Sequence, residues 1–131
     1  MPADHLSSTF LRLRADSSIE KLPADGFWPR LMQGELGNFH HEYLVTTSEH
    51  DADWQGWEMH PNGDEIVCLL AGRATLILEA PDGSRSELEL TQPGSFAFVP
   101  RGNWHTAKIA TASRFFFITA GEGTRHRPLQ P

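Results

Sequence analysis

The stretch Gly56–Gly72, GWEMHPNGDEIVCLLAG, carries the reading that decides the fold. If its opening is an extended strand, Glu58 and His60 share one face while Trp57 and Met59 share the other. The turn-forming HPNGDE follows, then the apolar run Ile66–Leu70 and a closing glycine. Turned into a small barrel, Glu58 and His60 would lose water at a cost that a partner or a metal must offset. Turned outward they would cost nothing. The pair alone leaves both readings open, so the rest of the chain has to decide.

On either side the same grammar repeats. Short runs of alternating or apolar residues, Thr9–Arg14, Phe39–Thr46, Trp54–His60, Ile66–Leu70, Ala74–Glu79, Ser86–Leu90, Ser95–Val99, His105–Ile109 and Arg114–Thr119, read as strands. Between them stand LAGRA, APDGSR, TQPGS and PRGNW, and the Pro81–Gly83 turn suits a hairpin. Regularly spaced short strands of this kind indicate an all-β sandwich or barrel. Asp16–Leu22 reads as a single helical turn, Gly26–Gly37 as a loop-rich arm carrying Phe27 and Trp28, and the tail from Gly121 as a polar, draped end with a solvated His126.

Composition narrows the function classes. The chain has 131 residues, enough for one domain with its own core. A net charge of −6 argues against a nucleic-acid partner. No apolar run approaches the roughly 20 residues that span a bilayer, and the N-terminus lacks a basic start with an apolar segment behind it. A cytoplasmic protein is expected. The single cysteine, Cys68, cannot pair within the chain, and its apolar surroundings suit an unreactive thiol. Nucleophile elbow, P-loop and dinucleotide fingerprint are all missing from the sequence.

The other half of the opening stretch comes downstream. Gly94–His105, GSFAFVPRGNWH, has the spacing G-x5-P-x-G-x2-H, which chance should produce in about one chain per thousand. With the upstream stretch it resembles the cupin superfamily, whose first motif is G-x5-H-x-H-x(3,4)-E-x6-G and whose second is G-x5-P-x-G-x2-H-x3-N. His60, Glu65 and Gly72 fall on the first motif; Gly94, Pro100, Gly102 and His105 fall on the second. Three positions depart from it: Glu58 replaces the first histidine, the opening glycine is displaced, and Ile109 replaces the asparagine.

The resemblance implies a double-stranded β-helix, or jelly roll, spanning residues 1–131 as a single domain. An N-terminal strand and arm would occupy 1–38, the barrel 39–120 and a polar tail 121–131. It further implies that Glu58, His60, Glu65 and His105 converge on one divalent transition metal. Imidazoles and carboxylates suit Fe, Mn, Ni or Zn, and the extra carboxylate leans towards Fe or Mn. Asp64 is the alternative to Glu65, but it has the opposite strand parity. Glu58 is alternatively a solvated strand residue, and His105 a turn cap.

The expected function is that of a small-molecule metalloenzyme, dioxygenase- or isomerase-like, with Glu58 or Glu65 moving the proton. A non-catalytic module that senses a metal or ligand, or binds a sugar, is the alternative class, and a barrel that has lost its metal is a third. The resemblance implies a homodimer, with Thr9–Arg14 and the Phe27–Trp28 arm as candidate contacts. Val67, Leu69, Phe96 and Phe98 are expected to line the interior, while Trp57 and Trp104 are candidates for the mouth. Arg101 beside His105 is a candidate for meeting a charged substrate. His40 and His41 alternate faces, so at most one points inward. The Glu49–Trp54 segment, EHDADW, lacks the loop of a calcium site and reads as solvated.

Overall fold

The structure is a computed structural model that describes residues 1–130. In chain order its elements are β1 (Thr9–Leu13), β2 (Ile19–Pro23), α1 (Phe27–Met32), β3 (Tyr43–His50), β4 (Gly56–Met59), β5 (Glu65–Glu79), β6 (Arg85–Leu90), β7 (Phe96–Val99), β8 (Trp104–Thr119) and β9 (Arg125–Pro128). Among the described residues, no helix is long and apolar enough to cross a membrane.

Two long antiparallel strands organise everything else. β5 and β8 pair along their whole length, and each bends where the register slips between Leu69 and Ala74. Before the bend β5 buries Glu65, Val67 and Leu69; after it, Ala74, Leu76 and Leu78. The one-residue slip therefore flips the parity of β5, so that it faces the same interior in both halves. Gly72 makes the corner. Its φ is +95°, and a Cβ there would lie 2.6 Å from Ser113 Cα. Ser113 stitches the bend by accepting from the Arg73 N–H at 3.1 Å and donating to the Thr111 carbonyl at 2.7 Å.

Two sheets follow from that bend. One carries β2-β1-β3, the later half of β8, the early half of β5, and β7. The other carries β9-β4, the early half of β8, the later half of β5, and β6. Val67, Leu69, Leu76, Leu78, Leu90, Ala97, Val99, Ala107 and Phe115 fill the space between them. This is the all-β jelly roll that the sequence implied. A second apolar cluster, Phe10, Leu22, Phe27, Leu36, Phe39 and Leu44, fixes the N-terminal arm. Arg12 spans that arm, donating to the Leu36 carbonyl at 2.7 Å and lying over the Phe39 ring.

Several local expectations are corrected. Asp16–Leu22 is not a helical turn: Asp16 Oδ1 accepts from the Ser18 N–H at 2.9 Å, and the hairpin it closes returns as β2. The Gly26–Gly37 arm contains α1, with Pro29 in the first turn where its missing N–H costs nothing. Ile66–Leu70 and Ala74–Glu79 are one strand, as are His105–Ile109 and Arg114–Thr119, because the glycine between the first pair marks a bulge rather than a turn. Phe39 and His41 have positive φ, so β3 begins only at Tyr43. Phe27 is fully buried against Phe10 and cannot be a surface contact. The tail is not loose from Arg125 to Pro128, where it hydrogen-bonds to β4 as β9.

Candidate metal centre

Both motifs deliver their residues to the inner face of the second sheet and the start of β5. Glu58 in β4 lies directly opposite His105 in β8. His105 is aimed by the Pro100–Gly102 turn, where Gly102 takes φ +82° and its N–H donates to the His60 carbonyl at 3.0 Å. One backbone bond thus ties the two motifs together. Glu65 opens β5 opposite Val99 of β7 and points inward. Asp64 points out and accepts from the Arg101 N–H at 2.8 Å. Arg101 is accordingly engaged with Asp64 rather than aimed at His105.

The distances are short. His105 Nε2 lies 2.9 Å from Glu65 Oε1 and 3.9 Å from Glu58 Oε2, and His60 Nε2 lies 3.3 Å from Glu65 Oε2. Glu58, His60 and His105 each offer one ligand atom, all within 4.8 Å of one another. His60, Glu65 and His105 are buried, whereas the Glu58 side chain is 38% exposed at the rim. Glu65 Oε2 also accepts from the Thr119 hydroxyl at 2.6 Å.

Electrostatics couples these groups. Burial pushes the Glu65 carboxyl up, but contacts with His105 and His60 outweigh it and hold it at about 2. Burial pushes His105 down, but the Glu65 contact and charge outweigh it and the imidazole is raised. Even so, His60 Nε2, Glu65 Oε1 and both ring nitrogens of His105 are buried without a well-formed hydrogen bond. The 2.9 Å approach of His105 to Glu65 has the distance of a hydrogen bond but not its angles. Buried polar atoms left this way are costly. Inward imidazole nitrogens and carboxylate oxygens converging on one point are the donor set a divalent transition metal takes, so the residues fit such an ion.

No family model matches the chain, and no curated protein matches it. Solved structures do. Peruvianin-I, a cysteine peptidase from Thevetia peruviana latex, aligns at TM-score 0.54 and 16% identity over 68% of this chain and 56% of its own. Bacillus subtilis oxalate decarboxylase aligns at TM-score 0.52 and 22% identity over 67% of this chain and 23% of its own. Hydroquinone 1,2-dioxygenase from Sphingomonas sp. TTNP3 aligns at TM-score 0.50 and 15% identity, over 61% of each chain. The chain has the cupin fold. At these identities the likeness is one of fold, and the chain spans between a quarter and three-fifths of these proteins' lengths.

Within the cupin barrel, an aromatic wall stands beside His105. The Trp54 ring centroid is 6.1 Å from that of His105 and about equally far from Phe115 and Phe117. Trp57, a candidate for the mouth, lies on the opposite face, capped by the guanidinium groups of Arg85 and Arg127 at 4.9 Å. Trp104 meets the same Arg127 at 4.7 Å. Phe96 and Phe98 do not line the interior. They pair with Cys68 and Ile66 on the outer face, while Ala97 and Val99 point in. His40 and His41 stack on each other in the loop before β3, away from the cluster, with His40 bonded to Glu122 at 2.8 Å.

Three site residues had escaped the sequence reading: Thr119, Thr124 and His126. Thr119 shares the odd-numbered inward parity of β8 with His105, a signal visible only once that strand is known to be continuous. His126 is not simply solvated, since its Nε2 lies 3.0 Å from Glu58 Oε1.

Proposed function

We propose that this chain is a cupin-fold metalloprotein holding one divalent transition metal in its barrel, and that it acts as a metalloenzyme on a small molecule, dioxygenase- or isomerase-like. His60 and His105 through Nε2, Glu58 through its inner oxygen, and Glu65 would hold the ion. The observation that carries the reading is the convergence of buried, unpartnered donor atoms from His60, Glu65 and His105 beside Glu58. Oxalate decarboxylase from Bacillus subtilis has Mn(II) centres, which supports Mn or Fe here. When bound, the ion would supply Lewis-acid or redox chemistry.

The chain's own residues divide the remaining work. Glu65 is fixed between Thr119 and the two imidazoles, so its task is to hold charge. Glu58 sits at the rim with access to solvent, the better place for a group that exchanges protons. Trp54, Phe115 and Phe117 keep the floor apolar, which strengthens each electrostatic contact above it. A non-catalytic sensing or ligand-binding role is favoured by one feature, the C-terminal segment packed over the outer side of the ligands.

Calorimetric titration of the metal-free chain with Mn(II) or Fe(II) tests the reading. One site per chain is expected in the wild type, and most of that binding is lost in His105→Ala and Glu58→Gln. Unchanged binding in both variants would contradict the assignment.

We also propose that the chain forms a homodimer through the outer face of its first sheet. Two apolar rows cross that face, Ile118–Ile66–Phe98 and Phe116–Cys68–Phe96. Phe96 and Phe98 are 57% and 50% exposed on the edge strand β7. Such a contiguous apolar face on an open edge favours a partner, and a second copy offers the same rows in return.

A further inference from the structure

The segment that closes the chain after β8 touches two of the candidate ligands on their outer sides. Thr124 Oγ1 lies 2.8 Å from His60 Nδ1. That hydroxyl has one proton, and it is given to the Gly121 carbonyl at 2.9 Å. Its oxygen is therefore left to accept, which requires His60 to carry its proton on Nδ1. Nε2 is then the lone-pair nitrogen, and it is the one turned towards His105 and Glu65.

Two residues on, β9 places His126 in register with Glu58, which is itself in register with His105. The three side chains form one row across adjacent strands. His126 Nε2 donates to Glu58 Oε1 at 3.0 Å, while Oε2 faces His105. One carboxylate oxygen is thus held outward and the other presented to the site. Arg127 locks the segment by stacking on Trp57 and Trp104 and pairing with Glu79.

We propose that Thr124 and His126 are positioning residues of the metal site. Thr124 fixes the tautomer of His60, and His126 fixes Glu58 as a one-oxygen donor at the position where its family motif has a histidine. The inference rests on the metal reading above and deepens it: the C-terminal strand is part of the site. Outer partners of this kind set ligand orientation and basicity.

Co(II) titration of the full-length chain, followed by visible absorption, tests the role. Thr124→Val keeps the shape and removes the acceptor, so Co(II) affinity should fall about 10- to 100-fold with an altered ligand-field spectrum. Thr124→Ser should restore both. His126→Ala should lower affinity and shift the spectrum, while His126→Gln, which keeps a donor, should recover most of it. Circular dichroism and melting of the metal-free variants report the fold; if Thr124→Val fails to fold, the exposed His126 pair carries the test. Affinities within twofold of wild type and unchanged spectra in both variants would overturn the proposal while leaving the metal reading standing. A wild-type chain that binds no Co(II) would overturn both.

Discussion

Glu65 and His105 hold each other in the charged state, and that ion pair has a pH window. Glu65 is lowered from 4.5 to about 2, so its contribution to stability is complete above pH 4.5 and is lost as pH falls towards 2. His105 is raised above 6.5, so its contribution is complete below pH 6.5 and is lost as pH rises through the folded value. The metal-free chain should therefore gain most from this pair between pH 4.5 and 6.5. Melting curves of wild type and Glu65→Gln should differ most inside that window; a gap that keeps widening above pH 6.5 would contradict the assignment. Metal binding should run the other way, strengthening as His105 gives up its proton. Glu58→His should move metal preference towards Zn or Ni in competition experiments, and an unchanged preference would mean that Glu58 is not a ligand. His60, Glu65 and His105 were legible as candidates because motif spacing fixes them. The neighbours Thr124 and His126 were not, because nothing in a polar tail announces which strand it will pair with.

At the scale of elements, the fold depends on the corner that lets β5 and β8 serve both sheets. Gly72→Ala would demand a strained φ of +95° and drive a Cβ into the backbone of Ala112 and Ser113. It should cost about 3 kcal/mol, read as a fall in denaturation midpoint. A midpoint within a few tenths of a kcal/mol of wild type would show that the corner tolerates a side chain. Except for β2, which reads as a helical turn, and β9, which reads as a draped tail, strand existence was readable from alternation and turn residues, but continuity was not. A glycine inside a strand pattern reads locally as a stop, and only the partner strand reveals it as a bulge. The inward assignment of Phe96 and Phe98 failed for a related reason. A four-residue strand with apolar side chains on both faces, Phe96–Val99, does not declare its parity, and the pairing of Ile66 with Phe98 decides it.

At the scale of the molecule, the two sheets have different outer surfaces. That of the second is polar and arginine-capped around Trp57, whereas the first carries an apolar face made by Ile66 and Cys68 of β5, Phe96 and Phe98 of β7, and Phe116 and Ile118 of β8. Gel filtration should give about twice the chain mass, and Phe98→Glu should return it to one chain by placing a charge on the exposed edge of the apolar face. A wild-type monomer would refute the dimer. The jelly roll could be anticipated from the sequence, but this face could not, because Phe96 and Phe98 read as interior residues and it is their outward parity that exposes it.

The barrel is expected to hold a transition metal. Elemental analysis of the untagged chain, purified without chelator or added metal, tests it most directly. Near-stoichiometric Mn or Fe is the predicted result. A chain that carries no metal and takes up none on soaking would contradict it.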